Sequence, residues 1–133
     1  MRRMIFAMAA AVMMAGGAQA QGAEIQGTID RQFDAFKVDD FTTAFTFASP
    51  DLQRLFGTPE NFGRMVTQGY PMVWRPAAVD YLDLRELEGT YRQTVQITDD
   101  KGRFHYLEYT LIEMPDGWRI SGVRILEAPD AAV

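Results

Sequence analysis

Few residues in this chain are equipped for chemistry. There is one histidine, His105, no cysteine, and two serines, Ser49 and Ser121. Covalent catalysis needs a nucleophile activated by a neighbouring base. Ser49 precedes Pro50-Asp51, where a helix cap is expected. Ser121 lies in Ile120-Ser121-Gly122, without the strand-turn-helix elbow of a hydrolase nucleophile. Zinc and copper sites need clustered histidines or cysteines, so no metal and no cofactor is expected. Asp99-Asp100 with Gly102 is too poor in ligands for a calcium loop and reads as a hairpin turn. What remains is acid-base chemistry by carboxylates or His105, or a binding surface of aromatic and arginine side chains. Two groups qualify. Tyr70, Trp74 and Arg75 fall close together. They either floor a pocket, with Arg75 holding an anion and the aromatics stacking, or anchor a corner of the core. His105, Glu108 and Tyr109 share one segment, and Arg124 in the last segment is a partner for Glu108.

The elements that must position these residues are legible. Ile25, Ile29, Phe33 and Phe36 recur on one face of a helix. Val38-Asp39-Asp40 interrupts it, and either aspartate can cap a second helix carrying Phe41, Ala44, Phe45 and Ala48. Adjacent aspartates at a helix start do not face each other, so capping is expected rather than acid-base work. Ser49-Pro50-Asp51 and Thr58-Pro59-Glu60 repeat one signal: a cap, a proline in the first turn, and an acid at the positive helix end. Gly57 and Gly69 mark the two stops. Tyr70-Pro71 and Arg75-Pro76 predict extended backbone before each proline, so residues 70–76 form the exit from helix into sheet.

Beyond Ala77 β-branched and aromatic residues dominate, divided by Glu88-Gly89, Asp99-Asp100-Lys101-Gly102 and Pro115-Asp116-Gly117. The division predicts four strands near 77–85, 90–98, 103–114 and 118–126. Helices followed by strands define an α+β fold, with N-terminal helices packed on a curved four-stranded antiparallel sheet. Read as a three-residue loop, Pro115-Asp116-Gly117 sets Met114 opposite Trp118, Ile112 opposite Ile120 and Glu113 opposite Arg119. The same register, continued, moves Glu108 and Arg124 to the apolar side. Either a β-bulge at Gly122 restores one buried face, or the register holds and a Glu108–Arg124 pair faces the helices.

The first residues read as an address. Arg2-Arg3, the apolar run from Ile5 to Ala15, and Ala18-Gln19-Ala20 make the three parts of a signal peptide, residues 1–20, cleaved to begin the mature chain at Gln21. The apolar run is too short for a membrane anchor, which needs ~20 apolar residues. The paired arginines also suit twin-arginine export, which the sequence does not separate from general secretion. Removing Arg2 and Arg3 takes the formal charge from −5 to −7, which argues against nucleic acid or anionic lipid as partners. Residues 21–126 make one domain, and 127–133, EAPDAAV, a flexible tail.

Two blocks, ASPDLQRLFGTPENFGRMVTQGYPMVWRP and the closing DGWRISGVRI, resemble the bacterial domain-of-unknown-function family 4864, within the nuclear transport factor 2-like (cystatin-like) superfamily. The resemblance spans roughly residues 23–126 of the chain. It implies a cone-shaped α+β fold, with helices in the mouth of a curved sheet, often a pocket inside, and often dimers through the sheet. It implies no activity and no catalytic residues, and fold alone does not choose among the superfamily's enzymes and binding domains.

The resulting expectation is an exported, periplasmic or secreted domain that binds a small apolar or anionic ligand or a partner protein, and forms a homodimer. One alternative is a cofactor-free isomerase- or dehydratase-like enzyme using a carboxylate or His105 in the cone; another is a structural dimerisation module. Export predicts that intact-mass analysis of periplasmic material finds Gln21, or its pyroglutamate, as the first residue; soluble exported protein that retains Met1 contradicts it.

Overall fold

The computed structural model describes the backbone of residues 2–127 and the side chains of residues 20–127. The tail reading after Glu127 and the side-chain reading of the first nineteen residues lie outside the described residues. Helix α1 (Arg2–Lys37) turns Ile25, Ile29, Phe33 and Phe36 to the sheet, and each is at most 4% exposed. Three aromatic donors of the sheet dock on it. Tyr81 Oη donates to Asp30 at 2.6 Å, Tyr91 Oη to Gln21 at 3.0 Å, and Trp118 Nε1 to Glu24 at 3.0 Å. Each lets a large apolar ring be buried without stranding its polar tip.

Three short helices follow with the expected start signals. Asp40 caps α2 (Phe41–Thr46), accepting from Thr43 N–H at 3.1 Å. Ser49 caps α3 (Pro50–Phe56) through Leu52 N–H at 3.3 Å, and Thr58 caps α4 (Pro59–Gly69) through Asn61 N–H at 3.1 Å. Gly57, at φ 81°, ends α3. The exit from helix into sheet over 70–76 contains one further element. Pro71 opens a further short helix, α5 (Pro71–Trp74), just as Pro50 and Pro59 open theirs. The residues preceding proline, Tyr70 and Arg75, leave the helical region, at φ −135° and −137°, but with ψ of 56° and 70° they are not the fully extended residues expected. Proline restricts its predecessor, but its own φ suits a first helical turn.

The four strands are β1 (Ala78–Leu87), β2 (Thr90–Thr98), β3 (Phe104–Met114) and β4 (Gly117–Leu126), paired antiparallel in the order β1-β2-β3-β4. Glu88 and Gly89, both at positive φ, make the first turn, whose twist matches the strands. Val95, Ile97, Leu107, Tyr109, Leu111, Trp118 and Ile120 form the buried inner face under the helices. Two irregularities bend the sheet. One lies in β1 between Tyr81 and Leu84, where Gln93 Nε2 donates to the carbonyls of Leu82 and Asp83 at 3.2 Å each. The other makes Ser121 an extra residue of β4. The fold is therefore the expected α+β one, helices against one face of a bent antiparallel meander.

The last hairpin corrects the predicted register. Its loop is Pro115-Asp116, so Met114 faces Gly117, Glu113 faces Trp118 and Ile112 faces Arg119. After the bulge the pairing changes by one, to Thr110–Gly122, Tyr109–Val123 and Glu108–Arg124. The bulge expected at Gly122 is present one residue earlier, at Ser121, and the alternative of an unbroken register with the pair facing the helices is contradicted. A bulge is present, Glu108 does pair with Arg124, and the pair lies on the outer face, because Tyr109 next to it points to the helices.

Two glycines of α4 separate packing from propensity. A Cβ at Gly63 would lie 2.8 Å from the Phe41 ring, whereas at Gly69 it would meet nothing within 4 Å. Alanine improves an exposed helical position by ~1 kcal/mol or less. Urea unfolding should therefore show Gly69→Ala unchanged or slightly more stable and Gly63→Ala less stable. Ser49→Ala should cost ~1 kcal/mol.

Candidate functional site

The seven residues singled out by sequence fall into three places. Tyr70 and Tyr109 border a cavity between helices and sheet. Trp74, Arg75 and His105 gather at the rim. Glu108 and Arg124 lie on the outer face of the sheet.

The cavity encloses about 300 Å³. Its buried walls include Phe36, Phe62 and Val66 from the helices and Tyr109 and Ile120 from the sheet; half-buried Leu52, Met65, Tyr70 and Val123 stand at its margin. Two buried side chains bring polar atoms to this apolar space. Gln32 is 5% exposed, and its Nε2 donates to Ala44 O at 3.1 Å. Tyr109 is 1% exposed, packs its ring on Phe33 at 6.3 Å, and makes no hydrogen bond through its hydroxyl to any described residue. Burial pushes its pKa above the ordinary phenol value, with Tyr70 nearby adding to the shift, so the phenol stays protonated and able to donate. Among the described residues, no carboxylate or histidine lines the cavity.

At the rim, α5 and the β2–β3 turn face each other across a more open pocket of about 410 Å³. Asp39, left-handed at φ 56°, accepts from Trp74 Nε1 at 2.8 Å and Arg75 Nη2 at 3.0 Å. The indole hydrogen bond foremost, helped by Arg75, holds its carboxyl below the usual range. Arg75 also donates to Phe36 O at 2.6 Å and stacks 4.2 Å from the Trp74 ring. The neighbouring aspartates have therefore divided their work: Asp40 caps a helix, and Asp39 clasps the Trp74-Arg75 corner. Across the pocket, Asp99 is bonded by His105 Nε2 at 2.8 Å and by the backbone N–H groups of Lys101 and Arg103 at 2.9 Å each. The imidazole contact is the largest reason its carboxyl lies well below the ordinary value. Among the described residues, every charge here except Lys101 and Asp100 has an internal partner.

On the outer face Glu108, 3% exposed, receives Arg124 Nε at 2.9 Å and Arg85 Nη2 at 3.3 Å, with Arg92 Nη1 3.6 Å away. Arg124 chiefly holds the carboxyl ionised, against the cost of burial. The expectation that Glu108 and Arg124 belong with Tyr109 in one site is corrected: residues 108 and 109 of a strand point to opposite faces.

Gln32, Asp39 and Asp99 were not singled out by sequence for these positions. Gln32 had a readable signal, since it falls on the apolar face of α1 beside Phe33 and Phe36. Asp39 and Asp99 had none, because their partners are 35 residues away across the fold or set by a turn.

A helix-capped, bent-sheet domain with an apolar cavity defines the class. The chain belongs to the family described as Domain of unknown function (DUF4864), which matches residues 18–133. No curated protein matches it. Among solved structures it is similar to Aln2 from a Streptomyces species, at 17% identity over 77% of this chain and 87% of that one, with a TM-score of 0.46. Neither figure is high enough to transfer an activity. Among the described residues no helix is long and apolar enough to cross a membrane, and no group of metal-ligating side chains is present.

The Asp99 cluster predicts a pH dependence. Its folded pKa is depressed, so its contribution to stability is present above the unfolded carboxylate value and is lost as pH falls through the folded one. Asp99→Asn should lower the melting temperature at pH ~7, and its deficit against wild type should narrow below pH ~4. A deficit that stays constant as pH falls from ~4 to well below it would remove the ionic explanation.

Proposed function

We propose that the protein is an exported binding domain for a small, mainly apolar ligand, seated between Phe36, Phe62 and Tyr109. The observation that carries this reading is the apolar cavity of about 300 Å³ between helices and sheet, with the almost fully buried side chain of Tyr109 in its wall. A polar group set in a mainly apolar wall gives a ligand one oriented hydrogen-bond partner. The volume sits at the small end of ligand pockets, near ~300 Å³. A flat ring carrying one carbonyl or hydroxyl fits that chemistry, with Gln32 as a second polar contact. An anionic ligand is less suited to the cavity, because no cation lines it.

The enzymatic alternative finds less support. A general base must reach the proton it takes. His105 is bonded to Asp99 at the rim, Glu108 is on the other side of the sheet, and Tyr109 is held neutral. Export rests on the charged, apolar and small-residue parts of residues 1–20. A homodimer through the sheet has in its favour the half-buried outer row Tyr106, Ile112 and Met114. Against it stands a concentration of arginines on that same face.

Fluorescence titration with the neutral probe N-phenyl-1-naphthylamine, and displacement by 1-naphthol and by naphthalene, tests the cavity. Val123→Trp, which fills the margin, should weaken probe binding at least ~10-fold. Tyr109→Phe should cost 1-naphthol ~5–10-fold and leave naphthalene nearly unchanged, the difference a single hydrogen bond makes. Equal binding by wild type and Val123→Trp, in a folded variant, would exclude the cavity as the site.

A further inference from the structure

Four side chains on the outer face form a cluster that the cavity does not use. Antiparallel pairing sets Arg85 of β1 directly opposite Arg92 of β2, and Glu108 of β3 opposite Arg124 of β4. Arg92 lies diagonal to Glu108, since its direct partner is Thr110. Like charges placed directly opposite on a sheet are destabilising. One carboxylate against three guanidiniums leaves an excess of two positive charges, in a chain whose formal charge is −5.

The hydrogen bonds are unevenly shared. Glu108 Oε1 accepts from Arg124 and Oε2 from Arg85. Arg92 Nη1 stays 3.6 Å from Oε1, beyond hydrogen-bond reach, and Arg92 Nε is buried with no partner. Guanidinium has no acceptor capacity and does not lose its proton, so neither titration nor tautomerism relieves this donor. The side chains of Arg85 and Arg124 are 55% and 65% exposed and free to bend towards a ligand above the sheet.

We propose that this cluster is a binding site for a small dianionic oxyanion, of the phosphate or dicarboxylate type, held by Arg92 with Arg85 and Arg124. Two negative charges match the local excess, and the planar forks of arginine suit such oxygens. Glu108 is the positioning residue: it fixes the guanidiniums in the empty site and competes with the ligand once it arrives. That competition separates a site from a purely structural ion-pair cluster.

The test uses the full chain, titrated with inorganic phosphate or succinate against sodium chloride at matched ionic strength. Isothermal calorimetry and thermal melts are the readouts. The expected result is saturable stabilisation by at least one dianion beyond that of chloride, with phosphate and succinate distinguishing the two ligand types. Arg92→Gln should weaken binding by about tenfold or more. Glu108→Gln should tighten it several-fold even though the variant is itself less stable. Where Glu108→Gln does not fold, Arg124→Gln takes its place and should weaken binding as Arg92→Gln does. Stabilisation equal to that by chloride, unchanged binding by folded Arg92→Gln, or weaker binding by folded Glu108→Gln overturns the proposal.

Discussion

Two backbone hydrogen bonds organise this molecule. Ser49 N–H donates to Ile120 O at 2.8 Å, and Ile120 N–H donates to Phe47 O at 2.8 Å. β4 is an edge strand, and its outward groups need partners. The segment between α2 and α3 supplies them at Ile120 through a parallel bridge with Ala48. A helical layer resting on side chains alone can slide; one bonded to the sheet backbone cannot. Ser49 then has two tasks. Its backbone closes the bridge, and its side chain starts α3, so helix and sheet are joined within one residue. Ala48 and Ile120 both line the cavity, which lies where the bridged segment and the sheet diverge.

Apolar packing alone does not define the layers, because several buried side chains are polar. Gln93 is fully buried and gives its amide N–H groups to the irregular stretch of β1, carbonyls that the ladder leaves over. Gln32 serves the end of α2 in the same way, and Gln53 reaches the carbonyls of Phe45 and Ala48. Each glutamine adds a donor to backbone carbonyls at a helix end or at an irregular stretch of strand. Directional contacts of this kind specify one arrangement where apolar contacts permit many, although Gln93 Oε1 itself is buried without a partner among the described residues. Tyr109 differs from them. Its side chain lies in the wall of the apolar cavity instead of bonding to a helix end or a bulge.

Local chemistry explains what was legible in the sequence. Ser49, Thr58 and the prolines after them act within one turn, so their caps could be read directly. Strand divisions were readable for the same reason, since Glu88-Gly89 and the Asp99–Gly102 turn carry their own geometry. The rest depends on separation in sequence. Asp39 finds Trp74 across 35 residues, and Tyr81 finds Asp30 across 51. No spacing rule reaches so far. Arg75 shows the limit from the other side. Its residue type and neighbours suit an anion site, and the fold uses it on Asp39 and the carbonyl of Phe36.

The last hairpin shows how a single residue decides two faces together. Its closing register pairs Leu111 with Ile120, and an unbroken ladder would continue with Thr110–Ser121, Tyr109–Gly122, Glu108–Val123 and Leu107–Arg124. Val123 would then stand on the outer face, and Arg124 would be driven among the buried residues beside Leu107, at the cost of a desolvated charge. The extra residue, Ser121, moves both by one. Its hydroxyl donates to Thr110 O at 3.3 Å at the point where the ladder is interrupted. Val123 comes to the cavity beside Tyr109, and Arg124 comes to Glu108. Apolar cavity and arginine cluster are therefore products of one bulge. Their side chains alternate along the same two strands, so a change of register that repaired one face would ruin the other.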